Sequence, residues 1–380
     1  MSKPDCIIVG GGVIGLSLAW VLSQQGVSVQ LVEGERDGHG TSWAGVGILP
    51  PANVDTANDP IERLRALSHQ LHAQWAAELA AATGIDNGYR RCGGIYLAMS
   101  RGEQASLVGL ADYWREYQID ASRLDARSLT EIEPALGTLA QSDRLQSAWV
   151  LPDESLLRSP DHLRALSTAC QMQGVQITAG CEIDQVRVEG GNVDHLVSSA
   201  GKLSARQYCF ATGAWTSRLL DPIGVSTGIL PVRGQVLLYR LPQQILRRVV
   251  NEGNRYLVPR DDGHLLVGSN EEEVGFQWGT TERVMHSLKT WAEGILPLLA
   301  SQPIVKSWSG LRPGSFDGFP YIGKLPQLSN AFVAAGHYRS GLHLSCATAT
   351  ELANLMLGRP TQVDLSPFSP SRGYRSRGRK

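Results

Sequence analysis

The chain has 380 residues, 42% hydrophobic and 19% charged, as is usual for a globular enzyme of about two domains. Its formal net charge of −1 gives no general attraction for nucleic acid, and no apolar run reaches the ~20 residues of a membrane span. An apolar run already begins at residue 6 and leaves no room for a signal peptide, so we expect a cytoplasmic protein without a nucleic-acid or membrane partner.

The first predicted elements are a strand, a glycine-rich turn, a helix and a second strand. The run Cys6–Val9 is typical of a buried parallel strand, and Gly10, Gly12 and Gly15 follow with G-x-G-x-x-G spacing. Such glycines make the tight turn, admit a pyrophosphate and let the helix pack on the strand. Glu33 ends the second strand, where a carboxylate accepts hydrogen bonds from a ribose. The unit predicts a dinucleotide site and leaves FAD and NAD open.

A small, polar segment, GHGTSWAGVGIL, occupies residues 38–49. A glycine-rich segment can pass close to a flat ring without blocking it. We expect the hydroxyls of Thr41 and Ser42 to reach phosphate or ribose. On the residues alone, a flexible loop that binds nothing stays an alternative.

Further elements follow in chain order. Helices are predicted at residues 60–83, 102–118 and 281–299, and a hairpin turn at Asp262-Gly263. IVKSWSGLRPGSFDGFPYIG predicts a strand that enters a Pro/Gly loop. Six cysteines without C-x-x-C spacing predict buried reduced thiols, and we expect no metal site.

Strand–glycine–helix junctions occur at 10–15, at 213 and at 336–341. If all of them belong to one sheet, the cofactor domain is discontinuous, and the intervening segments form a second domain. The predicted fold class is α/β, with a discontinuous Rossmann-like cofactor-binding domain and an antiparallel-sheet substrate domain. The predicted boundaries are 1–85, 149–225 and 306–365 for the cofactor-binding domain, 86–148 and 226–305 for the substrate domain, and 366–380 for a basic flexible tail.

The last of these junctions carries an arginine. The apolar run Ala331–Ala335 stops at Gly336, and Arg339 directly precedes a long helical pattern. A helix N-terminus offers unpaired N–H groups and a partial positive charge, so it attracts anions and electron-rich oxygens. The junction therefore predicts that a negative or electron-rich group lies beside it.

The chain resembles the FAD-dependent D-amino-acid oxidase superfamily. The resemblance lies in these junctions and in the segments GTSWAGVGIL, CFATGAWT, YLVPR, SGLRPGSFDGFPYIG and AAGHYRSGLHLSCATA. The likeness extends to about residue 360 and is greatest to the glycine oxidases of the thiamine pathway. It implies an FAD-dependent amino-acid oxidoreductase whose FAD-binding domain packs on an antiparallel substrate domain. Some relatives hold the flavin covalently through a cysteine, and this chain has Ser315 in that region. FAD is therefore expected to bind non-covalently.

The resemblance also assigns roles to residues. It implies that Arg312 of GLRPG binds the substrate carboxylate, that Tyr256 of YLVPR assists, and that Arg339 lies near flavin and substrate. It implies no general base, because the family's reaction transfers a hydride from Cα to flavin N5. The residues predicted to bind the cofactor are Gly10, Gly12, Val13, Ile14, Gly15, Glu33, Gly34, Thr41, Ser42, Val46, Gly47, Ile48, Ile183, Gly213, His337, Tyr338, Arg339, Ser340, Gly341 and Leu342.

The implied activity is oxidative deamination of glycine and other small amines or D-amino acids, such as sarcosine and D-alanine. Oxygen would be the electron acceptor, and an oxoacid, ammonia and H2O2 the products, with a link to thiamine thiazole synthesis. One alternative is a flavin dehydrogenase that passes electrons to a partner protein or a quinone, as in D-amino-acid dehydrogenases or hydrogen cyanide synthase. A nucleic-acid modification module is disfavoured by the near-neutral charge. We also expect a homo-oligomer.

Overall fold

A computed structural model gives the fold, and it describes residues 3–34 and 40–373. The strands, in chain order, are β1 (Cys6–Val9), β2 (Val29–Glu33), β3 (Ile48–Leu49), β4 (Arg90–Arg91), β5 (Gly94–Ala98), β6 (Ser122–Leu124), β7 (Ser147–Leu151), β8 (Ser155–Leu156), β9 (Gln176–Ala179), β10 (Ile183–Glu189), β11 (Asn192–Ser198), β12 (Gly201–Leu203), β13 (Gln207–Phe210), β14 (Leu230–Arg240), β15 (Val249–Glu252), β16 (Arg255–Pro259), β17 (His264–Gly268), β18 (Ile304–Gly314), β19 (Tyr321–Lys324) and β20 (Ala331–Ala335). The α-helices are α1 (Val13–Gln24), α2 (Thr41–Ala44), α3 (Pro60–Thr83), α4 (Arg101–Glu116), α5 (Ala126–Ile132), α6 (Gly137–Ala140), α7 (Ser159–Met172), α8 (Thr216–Leu220), α9 (Glu282–Ile295) and α10 (Gly341–Met356). Within the described ranges, no helix is both long and apolar enough to cross a bilayer.

A six-stranded sheet of order β19-β20-β13-β1-β2-β9 forms the first half of the molecule. Strands β20, β13, β1, β2 and β9 run parallel, and β19 pairs antiparallel to β20 at one edge. Its strands come from three separate parts of the chain, residues 6–33, 176–210 and 321–335. The predicted fold class, with a discontinuous Rossmann-like half, is therefore confirmed.

Helices cover one face of the six-stranded sheet and bury a continuous apolar core. The predicted helix at 60–83 is confirmed as α3, which contacts α10 and α7. Asp59 caps α3 by accepting a hydrogen bond from Ile61 N–H at 2.9 Å, and Gly84 ends it in the left-handed region at φ 71°. The opposite face of the sheet packs on the small sheet β10-β11-β12.

An eight-stranded sheet of order β18-β14-β17-β16-β15-β5-β7-β6 forms the second half. All its neighbouring strands are antiparallel except β5 and β15. Helix α9 packs against the apolar residues on one face of this sheet. The hairpin predicted at Asp262-Gly263 is confirmed between β16 and β17.

Strand β18 differs from the prediction in two ways. The segment that carries Arg312 was expected to be a Pro/Gly loop, but it continues the strand to Gly314 and pairs with β14. Pro313 fits there because β18 is the edge strand of this sheet, where a proline is tolerated. The strand begins at Ile304 and continues past the predicted boundary at 305, so the eight-stranded sheet extends to residue 314. The other domain boundaries stay predictions.

The C-terminal segment also differs. A flexible tail was predicted from residue 366, but Ser366–Phe368 and Pro370–Gly373 form 3-10 turns. Phe368 is fully buried, and the Arg372 guanidinium donates to Asp317 at 2.8 Å. One buried aromatic side chain and one ion pair hold this stretch in place. The Pro/Ser/Gly/Arg-rich composition of the tail gave no indication of these contacts. Residues 374–380 lie outside the described residues.

Three buried histidines lie where α3, α7 and α10 meet. The ring of His72 lies 6.2 Å from that of His162 and 6.3 Å from that of His343 between centroids. Burial lowers the pKa of His72 to about 4 and that of His162 to about 3, and it holds the pKa of His343 well below its usual range. All three imidazoles are therefore neutral in the folded protein at pH 7.

These histidines predict acid sensitivity. Below pH ~6.5 an unfolded histidine binds a proton that the folded one does not, so each should cost about 2 kcal/mol of stability between pH 7 and pH 5. In His162→Leu, we expect the loss of unfolding free energy between pH 7 and pH 5 to be smaller than in the wild type by the contribution of one histidine. Denaturant unfolding at pH 7, 6 and 5 measures this loss. His286→Leu, at an exposed position of α9, is the control. If the unfolding free energy of His162→Leu depended on pH as strongly as that of the wild type, His162 would not be a buried neutral histidine.

Candidate active site

One cavity of about 1010 Å³ lies between the six-stranded and the eight-stranded sheets. This volume is at the upper end of the ~300–1,000 Å³ that ligand pockets commonly have. Of the residues predicted from sequence to bind cofactor or substrate, all but Gly15 line it. The structure thus brings together side chains that are more than 300 positions apart in the sequence.

The glycine fingerprint forms one end of the cavity. Gly10 has φ 111°, and a Cβ there would overlap the carbonyl oxygen of Ala211, which directly follows the neighbouring strand β13. A Cβ on Gly15 would overlap the carbonyl oxygen of Gly10. Gly15 therefore allows the helix to pack on the turn, which explains why it does not line the cavity.

Polar groups surround the start of α1. Glu33 Oε2 accepts a hydrogen bond from Gly11 N–H at 2.5 Å, and Ser42 Oγ accepts one from Val13 N–H at 3.0 Å. Because Ser42 accepts at this contact, its own proton can be donated to a phosphate. Thr41 was predicted to reach phosphate or ribose, but its hydroxyl donates to the Leu311 carbonyl at 2.6 Å and joins the two halves.

A second helix N-terminus reaches the same cavity. The first residues of the 16-residue α10 line it, and no side chain in the described part of the chain caps this end. Its unpaired N–H groups and positive partial charge suit an electron-rich ring edge, as those of α1 suit a pyrophosphate. With two such ends and a glycine cradle in one long cavity, the residues fit FAD.

The eight-stranded sheet supplies the facing wall. Tyr96, Asn251, Tyr256, Gly268 and Val236 follow one another across five strands in matched register. A Cβ on Gly268 would lie 2.6 Å from the ring of Tyr256, so the ring covers this glycine. Tyr256 is thereby held at the cavity, where the resemblance implies that it assists substrate binding.

Arg312 extends from β18 over the neighbouring strand β14. A Cβ on Gly234 would overlap its guanidinium, which therefore needs a glycine beneath it. The guanidinium donates to Ser269 Oγ at 2.6 Å and to the Asn270 carbonyl at 3.0 Å. No carboxylate of the described residues lies within 4.0 Å of it. Its positive charge is held by neutral partners and faces the cavity.

Arg339 also lines the cavity, but it has a carboxylate partner. Its guanidinium donates to Glu271 Oε1 at 2.5 Å and to the Asn254 carbonyl at 3.2 Å. Partial burial opposes ionisation of Glu271, but hydrogen bonds from Arg339 and Tyr338 outweigh it and lower the pKa of this carboxyl. Arg339 was predicted to lie beside the substrate, and the structure pairs its charge with Glu271.

Sequence reasoning missed Glu154, which lies fully buried behind the wall. Its carboxyl accepts hydrogen bonds from Tyr96 Oη at 2.5 Å and Asn251 Nδ2 at 3.1 Å, and Gly94 leaves room for it. Burial raises the pKa of Glu154 to about 7. A lone acid in the turn DES has no pattern to identify it, because its partners lie 58 and 97 positions away.

Glu154 predicts a second pH effect of opposite sign. Its folded pKa exceeds the unfolded one, so the stability that it contributes is present at low pH and lost as pH rises through ~7. Between pH 5.5 and 8.5 this loss should reach about 2 kcal/mol. Glu154→Gln should remove that loss in denaturant titrations at both pH values. Glu131→Gln, at an exposed position of α5, is the control; equal pH dependence of wild type and Glu154→Gln would refute the assignment.

Comparison with known proteins agrees with this geometry. The family described as "FAD dependent oxidoreductase" (DAO) matches residues 5–355. The chain is 32% identical over 366 residues to glycine oxidase of Pseudomonas aeruginosa, covering 96% of this chain and 98% of that protein. It is 29% identical to the bifunctional protein ThiO/ThiG of a Nostoc species, covering 98% of this chain and 55% of that protein. The crystal structure of glycine oxidase from Geobacillus kaustophilus superposes with a TM-score of 0.92 at 31% identity, covering 99% of this chain and 100% of that one.

Proposed function

The chain belongs to the DAO family of FAD-dependent oxidoreductases, and from this premise we propose that it oxidatively deaminates glycine and other small amines or D-amino acids. It is an FAD-dependent amino-acid oxidoreductase. Sarcosine and D-alanine are the further substrates that we propose, with O2 as the electron acceptor. The observation that carries the proposal is Arg312, a cation that lines the cavity, is bound by two neutral oxygens and has no carboxylate within 4.0 Å among the described residues.

Arg312 suits the carboxylate of an amino acid. A guanidinium is planar and can donate two parallel hydrogen bonds, so it fixes the orientation of a carboxylate as well as its charge. The contacts to Ser269 and Asn270 fix the plane of the guanidinium before a substrate binds. Little conformational entropy is then lost on binding.

The remaining residues orient the substrate and leave the redox chemistry to the cofactor. When bound, FAD would supply a two-electron acceptor for the substrate, and its reoxidation by O2 would give H2O2. Arg312 holds the carboxylate, and the wall around Tyr256 limits how the amine and Cα can turn. Hydride transfer from Cα would need no general base, so no side chain is assigned to remove a proton from carbon. Hydrolysis of the imine formed from a primary amine would give an oxoacid and ammonia.

The relatives also support a biological setting. Similarity to a protein named ThiO/ThiG favours a link to thiamine biosynthesis, in which oxidation of glycine would supply thiazole synthesis. A homo-oligomeric state stays a prediction.

A substrate panel tests the function. Purified protein is supplied with glycine, sarcosine, D-alanine or D-proline, and H2O2 and ammonia are measured. We expect H2O2 and ammonia in equal amounts from glycine, and H2O2 from at least one other substrate. Only D-alanine would also release ammonia, because sarcosine would yield methylamine and D-proline a cyclic imine. Anaerobic bleaching of the flavin without H2O2 formation in air would indicate a dehydrogenase. No bleaching with any of the four would overturn the proposed substrate class.

Arg312→Ala should retain FAD but lose most activity on glycine. Loss of a charge-assisted pair with a desolvated carboxylate costs about 2–5 kcal/mol, or roughly 30- to 5,000-fold in kcat/KM. Arg312→Lys should recover little, because an ammonium cannot make the bidentate contact. The comparison is kcat/KM for glycine and for a neutral amine that lacks the carboxylate. Arg240→Ala, at an exposed position on β14, is the control. Equal losses on both substrates in Arg312→Ala would show that Arg312 only braces the sheet.

Ser315 predicts the mode of flavin attachment. A serine hydroxyl has no thiolate with which to form a thioether to the flavin, so acid precipitation should release all FAD into the supernatant. Absorbance of supernatant and pellet measures this. Yellow colour that stays with the pellet after washing would show a covalent bond and refute the prediction.

A further inference from the structure

The segment Ser269–Glu272, which follows β17, contacts both arginines of the substrate site. Ser269 and Asn270 hold Arg312 through neutral oxygens, whereas Glu271 holds Arg339 through a charged one. The next residue, Glu272, turns away and pairs with Arg233 at 3.0 Å. Along four consecutive residues, the direct partners of Arg312 are therefore neutral, whereas Arg339 is paired with a carboxylate.

The electrostatic effect of Glu271 extends to both arginines. Glu271 donates no proton but accepts a hydrogen bond from Arg339, and the nearby charge of Arg312 also contributes to lowering the pKa of its carboxyl. Two further arginines that line the cavity lie over aromatic rings, Arg218 at 3.5 Å from the centroid of Phe276 and Arg255 at 5.8 Å from that of Trp291. Glu271 thus occupies a position where a carboxylate is near both Arg312 and Arg339.

We propose that Glu271 is a specificity residue, which restricts the site to substrates with one carboxylate by filling the place that a second carboxylate would take. The inference rests on the proposed function, since it assigns the substrate carboxylate to Arg312. A substrate with two carboxylates would bring its second charge towards Glu271, and Arg339 would already be paired. Like charges in contact at a binding site are strongly unfavourable and exclude the wrong ligand.

The position of Glu271 makes this restriction removable by one substitution. Its side chain is 32% exposed and lies outside the buried core, so an isosteric amide there leaves the packing intact. In Glu271→Gln the guanidinium of Arg339 keeps its full charge, and it can donate two hydrogen bonds to a second carboxylate. The site would then hold a dicarboxylate between Arg312 and Arg339.

The test compares a dicarboxylic with a monocarboxylic amine. The kcat/KM values for iminodiacetate and D-aspartate are each divided by that for glycine, in the wild type, Glu271→Gln, Glu273→Gln and Glu271→Gln/Arg339→Gln. Glu273 is an exposed acid two residues away, so its variant makes the same change in net charge. We expect at least a tenfold higher ratio in Glu271→Gln, no change in Glu273→Gln, and loss of the gain in the double variant. An unchanged ratio in Glu271→Gln would overturn the proposal, and so would a gain that survives removal of Arg339.

A binding measurement separates this inference from the proposed function. Acetate and malonate are titrated calorimetrically into the FAD-loaded protein, since neither has an amine to oxidise. Glu271→Gln should tighten malonate binding relative to acetate by at least tenfold, and Glu273→Gln should not. If the wild type oxidises no amine, the proposed function fails, yet the malonate-to-acetate ratio still decides the role of Glu271. Equal ratios in both variants would refute that role.

Discussion

The site depends on the register between β14 and β18. That register places Gly234 opposite Gly310, and both positions lack a side chain on the face towards the cavity. At Gly234 the guanidinium of Arg312 occupies the space, and at Gly310 a Cβ would lie 2.8 Å from Ala44 of the cofactor-binding half. The two facing glycines therefore leave room for the guanidinium of Arg312 and, beside it, for Ala44 of the cofactor-binding half. A shift of one residue would turn Arg312 to the other face of the sheet.

The rest of the architecture brings charges and dipoles to that point. The six-stranded sheet collects three distant segments, so that the N-termini of α1 and α10 face one cavity. Behind the opposite wall, Glu154 is buried and held by neutral hydrogen-bond donors, and burial raises its pKa to about 7. The positive ends of two helices lie on the ligand side, and so does the Arg312 guanidinium, which has no carboxylate within 4.0 Å among the described residues. The cavity is therefore suited to an anionic cofactor and a carboxylate substrate.

Much of this could be predicted from sequence, because several signals are local. The glycine fingerprint fixes a turn within six residues, and the short motifs around Tyr256, Arg312 and Arg339 carry the family resemblance. The partners of these side chains are not local. Nothing near Gly234 indicates that Arg312 covers it, and the pairing of Arg339 with Glu271 joins positions 68 apart. The Pro/Gly composition of GLRPG also favoured a loop, whereas an edge strand tolerates proline.

The most direct test of the central claim, that Arg312 anchors the carboxylate while Arg339 stays paired, is a crystal structure of the FAD-loaded protein with glycolate. Glycolate has the carboxylate of glycine and no amine. The account predicts two hydrogen bonds from the Arg312 guanidinium to the glycolate carboxylate, with the contacts of Arg312 to Ser269 and Asn270 retained and Arg339 still bound to Glu271. A carboxylate bound to Arg339, with Glu271 turned away and Arg312 unchanged, would contradict it.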